Sequence, residues 1–400
     1  MKRLIACSLL VLGALVAAAC NVGGGGSPPD VPTNVKVVPG DSGVTVSWDM
    51  QSGIEYWVFS AAAPSISTSN WTTLPQARVF RGATSPQIIA GLTNGTLYSF
   101  TVNGRQNSGA GGGGSPSISA VPRLSGQSWS VGSPLASASL NAETFLGLTI
   151  PGLFSTVGAG GTVFTSTDAV SWTPIASGTT ADLNGITFGQ GRYVAVGKGG
   201  AMIASVDAAT WSALMSGTTS DLNAVATGTS GLVAVGANGT IVRSTDGGNW
   251  SVVTSGTTQN LYGVAFANGV FYAVGAQGTM LSSGDGNTWT AIASGTTADL
   301  RSFAWNGITF VAVGTAGTII TSTDGATWKV IAPVTANNLN SITAGSQFVI
   351  VGAGGTILTS VDAISWVVVP SGTSADLNAV LFGLTGFSAV GVGGVNLTSF

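Results

Sequence analysis

Eleven carboxylates and three arginines carry most of the chemistry available after Gly126 in this 400-residue chain. Six of the acids recur in one setting. Asp168, Asp207, Asp246, Asp285, Asp324 and Asp362 each follow a Ser by two residues and precede a Trp by four. Asp182, Asp221, Asp299 and Asp376 each stand directly before a Leu, a place that Ser139, Asn260 and Asn338 fill elsewhere. Glu143 stands alone. Two carboxylates placed across a glycosidic bond could hydrolyse it, and several together could hold a hard cation. Arg192, Arg243 and Arg301 could clamp an anionic substrate.

Composition weighs against most of that chemistry. The chain has no His, and its two cysteines, Cys7 and Cys20, fall within the first twenty residues. Zinc ligation and Ser-His or Cys-His nucleophiles are therefore excluded. A carboxylate repeated six times in one setting is a requirement of the fold rather than a unique catalyst. Asp, Asn and Ser share one trait, a side-chain oxygen that caps a turn, so their interchange before the Leu suits capping better than metal binding. Asp182, Asp221, Asp299 and Asp376 are retained as a face that could attract a cation or a basic partner. No cofactor, metal or catalytic residue is expected. After Gly126, five Lys or Arg stand against eleven Asp or Glu, which disfavours a nucleic-acid partner.

The elements that hold these residues are repeats. Trp172, Trp211, Trp250, Trp289, Trp328 and Trp366 are spaced 39, 39, 39, 39 and 38 residues apart. Each period holds four short apolar runs separated by Gly, Asn and Asp turns, which is one blade of a β-propeller. Leu140, Leu183, Leu222, Leu261, Leu300, Leu339 and Leu377 open seven such units. The last stops at Phe400 after three strands, and Gln127–Leu135 is positioned to supply the fourth. The expectation is an all-β chain with a seven-bladed propeller over 125–400, closed by three strands plus one. Glu143 takes the place of Ile186, Val225, Val264, Phe303, Ile342 and Val380. The first repeat is four residues longer between its Leu and Gly158, and a register shift there is expected to turn Glu143 outward.

The Ser-x-Asp turns with their Trp resemble the Asp-box, or bacterial neuraminidase repeat, of sialidase-like propellers. That resemblance implies hairpins on the blade rim, away from any catalytic pocket. Here Asp and Trp lie one residue closer than is usual in that family. Sialidases need several arginines, a Tyr–Glu pair and an acid. Tyr193, Tyr262 and Tyr272 instead fall at strand positions, and no asymmetric constellation is apparent.

At the other end, Lys2 and Arg3 precede an apolar run and Ala17-Ala-Ala-Cys20. This pattern resembles a bacterial lipobox, implying a signal peptide over 1–19, acylation of Cys20, and a Gly/Ser/Pro tether over 20–30. Residues 31–124 resemble a fibronectin type III domain through Pro32, Val35, Val46-Ser-Trp48, Tyr56 and the Leu92 to Tyr98 run. The resemblance implies a sandwich with Trp48 in its core and the Tyr98 hydroxyl closing a corner. Arg105 reads as an exposed loop residue.

The expected protein is an exported lipoprotein on the outer membrane or cell surface, monomeric and non-catalytic. Its membrane contact runs through Cys20, and its propeller binds or scaffolds a protein or glycan partner. The alternatives are a degenerate sialidase-like or other glycoside hydrolase, or an assembly factor resembling the propellers that serve photosystem II.

Overall fold

A computed structural model describes residues 29–106, 109, 111–147, 152–383 and 386–400. The signal-like segment, Cys20 and nearly all of the tether lie outside the described residues. The chain divides into two compact units, one ending at Pro122 and the other holding Gly40–Ser42 with Arg123–Phe400.

The first unit is a sandwich of two antiparallel sheets. One sheet holds Lys36–Gly40, Gly43–Ser47 and Gln87–Ala90. The other orders Arg78–Ala83, Glu55–Ala61, Tyr98–Arg105 and Ile118–Ala120. Val44, Val46, Trp48, Tyr56, Val58, Ile89, Tyr98, Phe100 and Val102 fill the space between them. Backbone N–H of Thr93 donates to the Tyr98 hydroxyl at 3.2 Å, and that hydroxyl donates to Gln76 Oε1 at 2.6 Å. Arg105 departs from the sequence reading. It ends a strand, is half-buried, and lays its guanidinium 3.6 Å from the centroid of Trp57. Two strands away, Arg81 approaches the same ring at 4.6 Å.

The second unit forms seven four-stranded antiparallel sheets among the described residues. Leu183–Gly189, Arg192–Gly197, Met202–Ser205 and Ser212–Ala213 make up one of them. The first strand of each sheet packs against the first strand of the next, and Leu377–Gly383 packs against Leu140–Leu146, so the sheets form a ring. This is a β-propeller. The seven opening leucines are fully buried. Second strands such as Tyr193-Val-Ala-Val196 are buried on both faces, which explains why they alternate so weakly in sequence. Gly197 ends that strand where any Cβ would collide with the Asp182 carbonyl, so no side chain fits.

The last sheet draws on both ends of the unit. Leu377–Gly383, Gly386–Gly391 and Asn396–Ser399 are completed by Ser130–Val131, with Val131 opposite Leu397. Its final turn is split in the same way. Gly126 N–H donates to Ser399 Oγ at 2.7 Å, as Gly247 N–H does to Ser244 Oγ at 2.8 Å. Trp129 Nε1 donates to Gly126 O at 3.1 Å, as Trp250 does to Gly247 O at 3.2 Å.

Candidate functional site at the channel mouth

Each Ser-x-Asp turn joins a third strand to the outermost one, placing the six repeated acids at the periphery. In each, Asp Oδ1 accepts from the preceding Ser hydroxyl and from two successive backbone N–H groups. For Asp324 these are Ser322 at 2.9 Å, Ala326 at 2.9 Å and Thr327 at 2.7 Å. Asp168, Asp207, Asp246, Asp285 and Asp362 repeat this pattern. The second amide does most to hold the carboxyls of Asp207, Asp246, Asp285, Asp324 and Asp362 below the ordinary range. The indole N–H of Trp172, Trp211, Trp250, Trp289 and Trp328 returns to the carbonyl three residues earlier. Trp366 makes no such bond; its buried Nε1 has no partner. These acids are occupied as turn acceptors. Asp324→Ala should therefore speed amide hydrogen exchange at Ala326 and Thr327; unchanged protection there would contradict this role.

The acids before each Leu join neighbouring sheets. Oδ1 of Asp182, Asp221, Asp299 and Asp376 accepts the N–H of Gly160, Gly199, Gln277 and Gly354, each at 2.8–2.9 Å and each in the hairpin of the preceding sheet. Asn260 and Asn338 do the same for Asn238 and Ala316. One acceptor oxygen is all the position requires, which accounts for the Asp/Asn interchange. Asp182 also pairs with Lys198 at 2.7 Å, and that bond contributes most to lowering its carboxyl. No group of three or more acidic side chains converges among the described residues.

The three arginines separate. Arg243 reaches a neighbouring hairpin, donating from Nε to Asp285 O at 2.9 Å, and Arg192 lies against Gly247 and Gly248 of another. Only Arg301 enters the central channel.

Glu143 does not turn outward. The first sheet keeps the register of the others, with a bulge after the Leu and Ala142 opposite Val157. The four extra residues fall beyond the Leu146–Leu153 pair, too late to shift Glu143. Its Oε2 accepts from Ser388 Oγ of the last sheet at 2.9 Å, while Oε1 is shielded from solvent without a partner. The side chain as a whole is part-exposed, but the carboxyl end is enclosed, and burial pushes it up to about 8.

The channel mouth went unread in the sequence. A cavity of about 490 Å³ is lined by the residues that follow the opening leucines: Asn141, Asn184, Asn223, Tyr262, Arg301, Asn340 and Asn378. Asn338 and Asp376 border it. Each of the five ring asparagines donates Nδ2 to the Leu carbonyl of the next sheet, as Asn141 does to Leu183 O at 2.9 Å and Asn378 to Leu140 O at 2.9 Å. One hydrogen of each Nδ2 is committed in this way, and each Oδ1 is an acceptor. Arg301 breaks the pattern by donating Nη1 to Asn340 Oδ1 at 2.7 Å. The overlooked signal was Leu-Asn repeated five times, with Leu-Tyr and Leu-Arg as the exceptions.

The fold and this mouth together define a β-propeller with a polar, asymmetrically lined central channel. No protein-family model and no curated protein matches the chain. Solved structures do resemble it. YCF48 bound to D1 peptide aligns at 17% identity over 68% of this chain and 94% of that one, with a TM-score of 0.57. YCF48 from Cyanidioschyzon merolae aligns at 18% identity over 68% and 98%, with a TM-score of 0.55. The Pan2 WD40 domain of Neurospora crassa aligns at 12% identity over 66% and 89%, with a TM-score of 0.51. At these identities the likeness establishes the propeller fold.

Proposed function

We propose that this chain is a non-enzymatic propeller that binds a peptide segment of a partner protein at its channel mouth and acts as an assembly or scaffolding factor. The observation that carries this reading is the mouth itself, an open cavity ringed by side-chain acceptors, with Arg301 as the one cation among its described lining residues. Peptides present alternating N–H donors and C=O acceptors, which such a rim can pair. YCF48, one of whose structures holds a D1 peptide, matches the assembly-factor alternative better than the general binding-module reading. The hydrolase alternative has less support, because Arg192 and Arg243 are spent at the periphery and Glu143 sits alone in the channel wall.

In the fuller reading, the seven sheets are blades closed by three strands plus one, and the Ser-x-Asp turns are Asp-box hairpins. The first unit is a fibronectin type III-like spacer. An acylated Cys20 anchors the exported chain to the cell envelope, at the outer membrane or cell surface.

A randomised peptide library panned on the full chain tests the function. Arg301→Ala should reduce recovery of the selected peptides at least about tenfold, the scale of one lost charge-assisted hydrogen bond. Equal recovery by the variant would remove the mouth as the binding site.

A further inference from the structure

In the first unit, the outer face of one sheet carries two unmatched cations. Along Glu55–Ala61, Tyr56 and Val58 turn into the core, so Trp57 and Phe59 lie on the opposite face. Trp57 is half-buried, with the Phe59 ring 6.3 Å away and Trp71 a further 5.4 Å from Phe59. The two strands flanking Trp57 each lend an arginine: Arg81 lies 4.6 Å and Arg105 3.6 Å from its ring centroid. Stacking occupies the flat face of a guanidinium and leaves its in-plane N–H donors free. Neither arginine hydrogen-bonds or pairs with an acid among the described residues. Arg105 Nε is shielded from solvent, but its Nη groups are not, and Arg81 is exposed. Glu55 stands opposite Arg105 across the strands, yet its carboxylate accepts from Trp57 Nε1 at 2.7 Å instead. Two like charges held against one ring repel each other until an anion bridges them.

We infer that Arg81 and Arg105 grip the phosphates of anionic lipid head groups and hold the first unit against a membrane surface. A head-group phosphate presents acceptor oxygens that match a guanidinium fork. The neighbouring rings suit the same depth, because Trp favours the membrane–water interface. The position of the tether argues for a bilayer over a free anion. Pro29 packs against Gly104 and Gly112, where an added Cβ would collide with it, so the chain enters beside Arg105. Eight residues lie between Cys20 and Pro29. Such a segment spans at most roughly 30 Å, which keeps the clamp close to whatever holds Cys20. The choice of occupant rests on the reading of Cys20 as an acylated anchor.

The test titrates the fluorotryptophan-labelled full chain with soluble short-chain phosphatidylglycerol, short-chain phosphatidylcholine and inorganic phosphate. Phosphatidylglycerol should shift the fluorine resonance of Trp57, assigned through Trp57→Phe, and bind at least about fivefold more tightly than phosphatidylcholine. Arg81→Gln and Arg105→Gln should each weaken that binding about fivefold. Glu55→Gln keeps an acceptor for the indole and removes the opposing charge, so it should tighten binding about twofold to fivefold. Arg81 and Glu55 are both exposed, so these two changes probe the clamp without disturbing the core. Inorganic phosphate bound as tightly as phosphatidylglycerol would make this a small-anion site and overturn the lipid assignment. An unmoved Trp57 resonance, or equal binding by Arg81→Gln, would reduce the stack to a structural ladder and overturn it too. Mass spectrometry of Cys20 in the cellular protein reads the anchor separately: an unacylated cysteine removes the membrane occupant, whereas the titration alone decides the clamp.

Discussion

Deleting residues 392–400 should lower Tm by roughly 10–20 °C and broaden the unfolding transition, although only nine residues are lost. The deletion removes the strand Asn396–Ser399 with its fully buried Leu397, and the buried Val395 just before it. Burying two such side chains contributes about 2–3 kcal/mol each, and each kcal/mol moves Tm by about 2–4 °C in a unit of this size. The larger effect is topological. Ser130–Val131 loses the strand it pairs with, Gly386–Gly391 gains a bare edge, and the Gly126 N–H loses its Ser399 acceptor. Exposed edges template aggregation, so light scattering should rise on heating. Circular dichroism melts of the two chains decide the matter; an unchanged, cooperative Tm would mean that the last sheet does not close the ring.

Glu143→Ile should stabilise the protein, and by most at alkaline pH. The Glu143 carboxyl titrates near 8 in the folded chain, against an ordinary value of 4.5. Between those values the native state keeps a proton that the unfolded chain has released. Stability from this group is therefore full below about pH 4.5 and falls by about 1.4 kcal/mol per pH unit until about pH 8, where it levels off. The turn acids act in the opposite sense. Their lowered carboxyls contribute above the ordinary value of 3.8, and the contribution is lost as pH falls through the folded values, to about 2 for Asp362. Stability should peak near pH 4–5 in the parent and become flat from pH 5 to 9 in Glu143→Ile. The gain at pH 9 should reach about 3–5 kcal/mol by chemical denaturation. A parent profile without slope between pH 5 and 8 would show that the carboxyl is not enclosed as described.

The propeller was legible because a repeat states each of its features many times. Leu at the start of the first strand, Gly-x-x-Gly at the end of the second, and Asp with Trp around the last turn all fall where the structure uses them. The edge strand Arg78–Ala83 was missed, since its two arginines and mixed burial conceal the alternation that reveals a half-buried strand. The sequence does not say on which side of Glu143 the four extra residues of the first repeat fall, and the strand pairing places them after it. The mouth is hidden for a different reason: Asn brings no charge, and it acts here only in the company of four others around the ring. In sequence Tyr262 reads as a strand residue and Arg301 as one of three scattered arginines. Their meaning depends on which strand lines the channel, and that is a property of the closed ring rather than of any single repeat.

The split final turn also fixes an order of events in time. Gly126 and the Ser399 hydroxyl it meets are 273 residues apart, so the earliest part of this unit to leave the ribosome must wait for nearly the last. Until then Trp129 has no third strand beside it, and any intermediate keeps one side open to chaperones or to stray chains. Speed of elongation and supply of holding factors, more than the strength of any one contact, should govern how much protein is recovered.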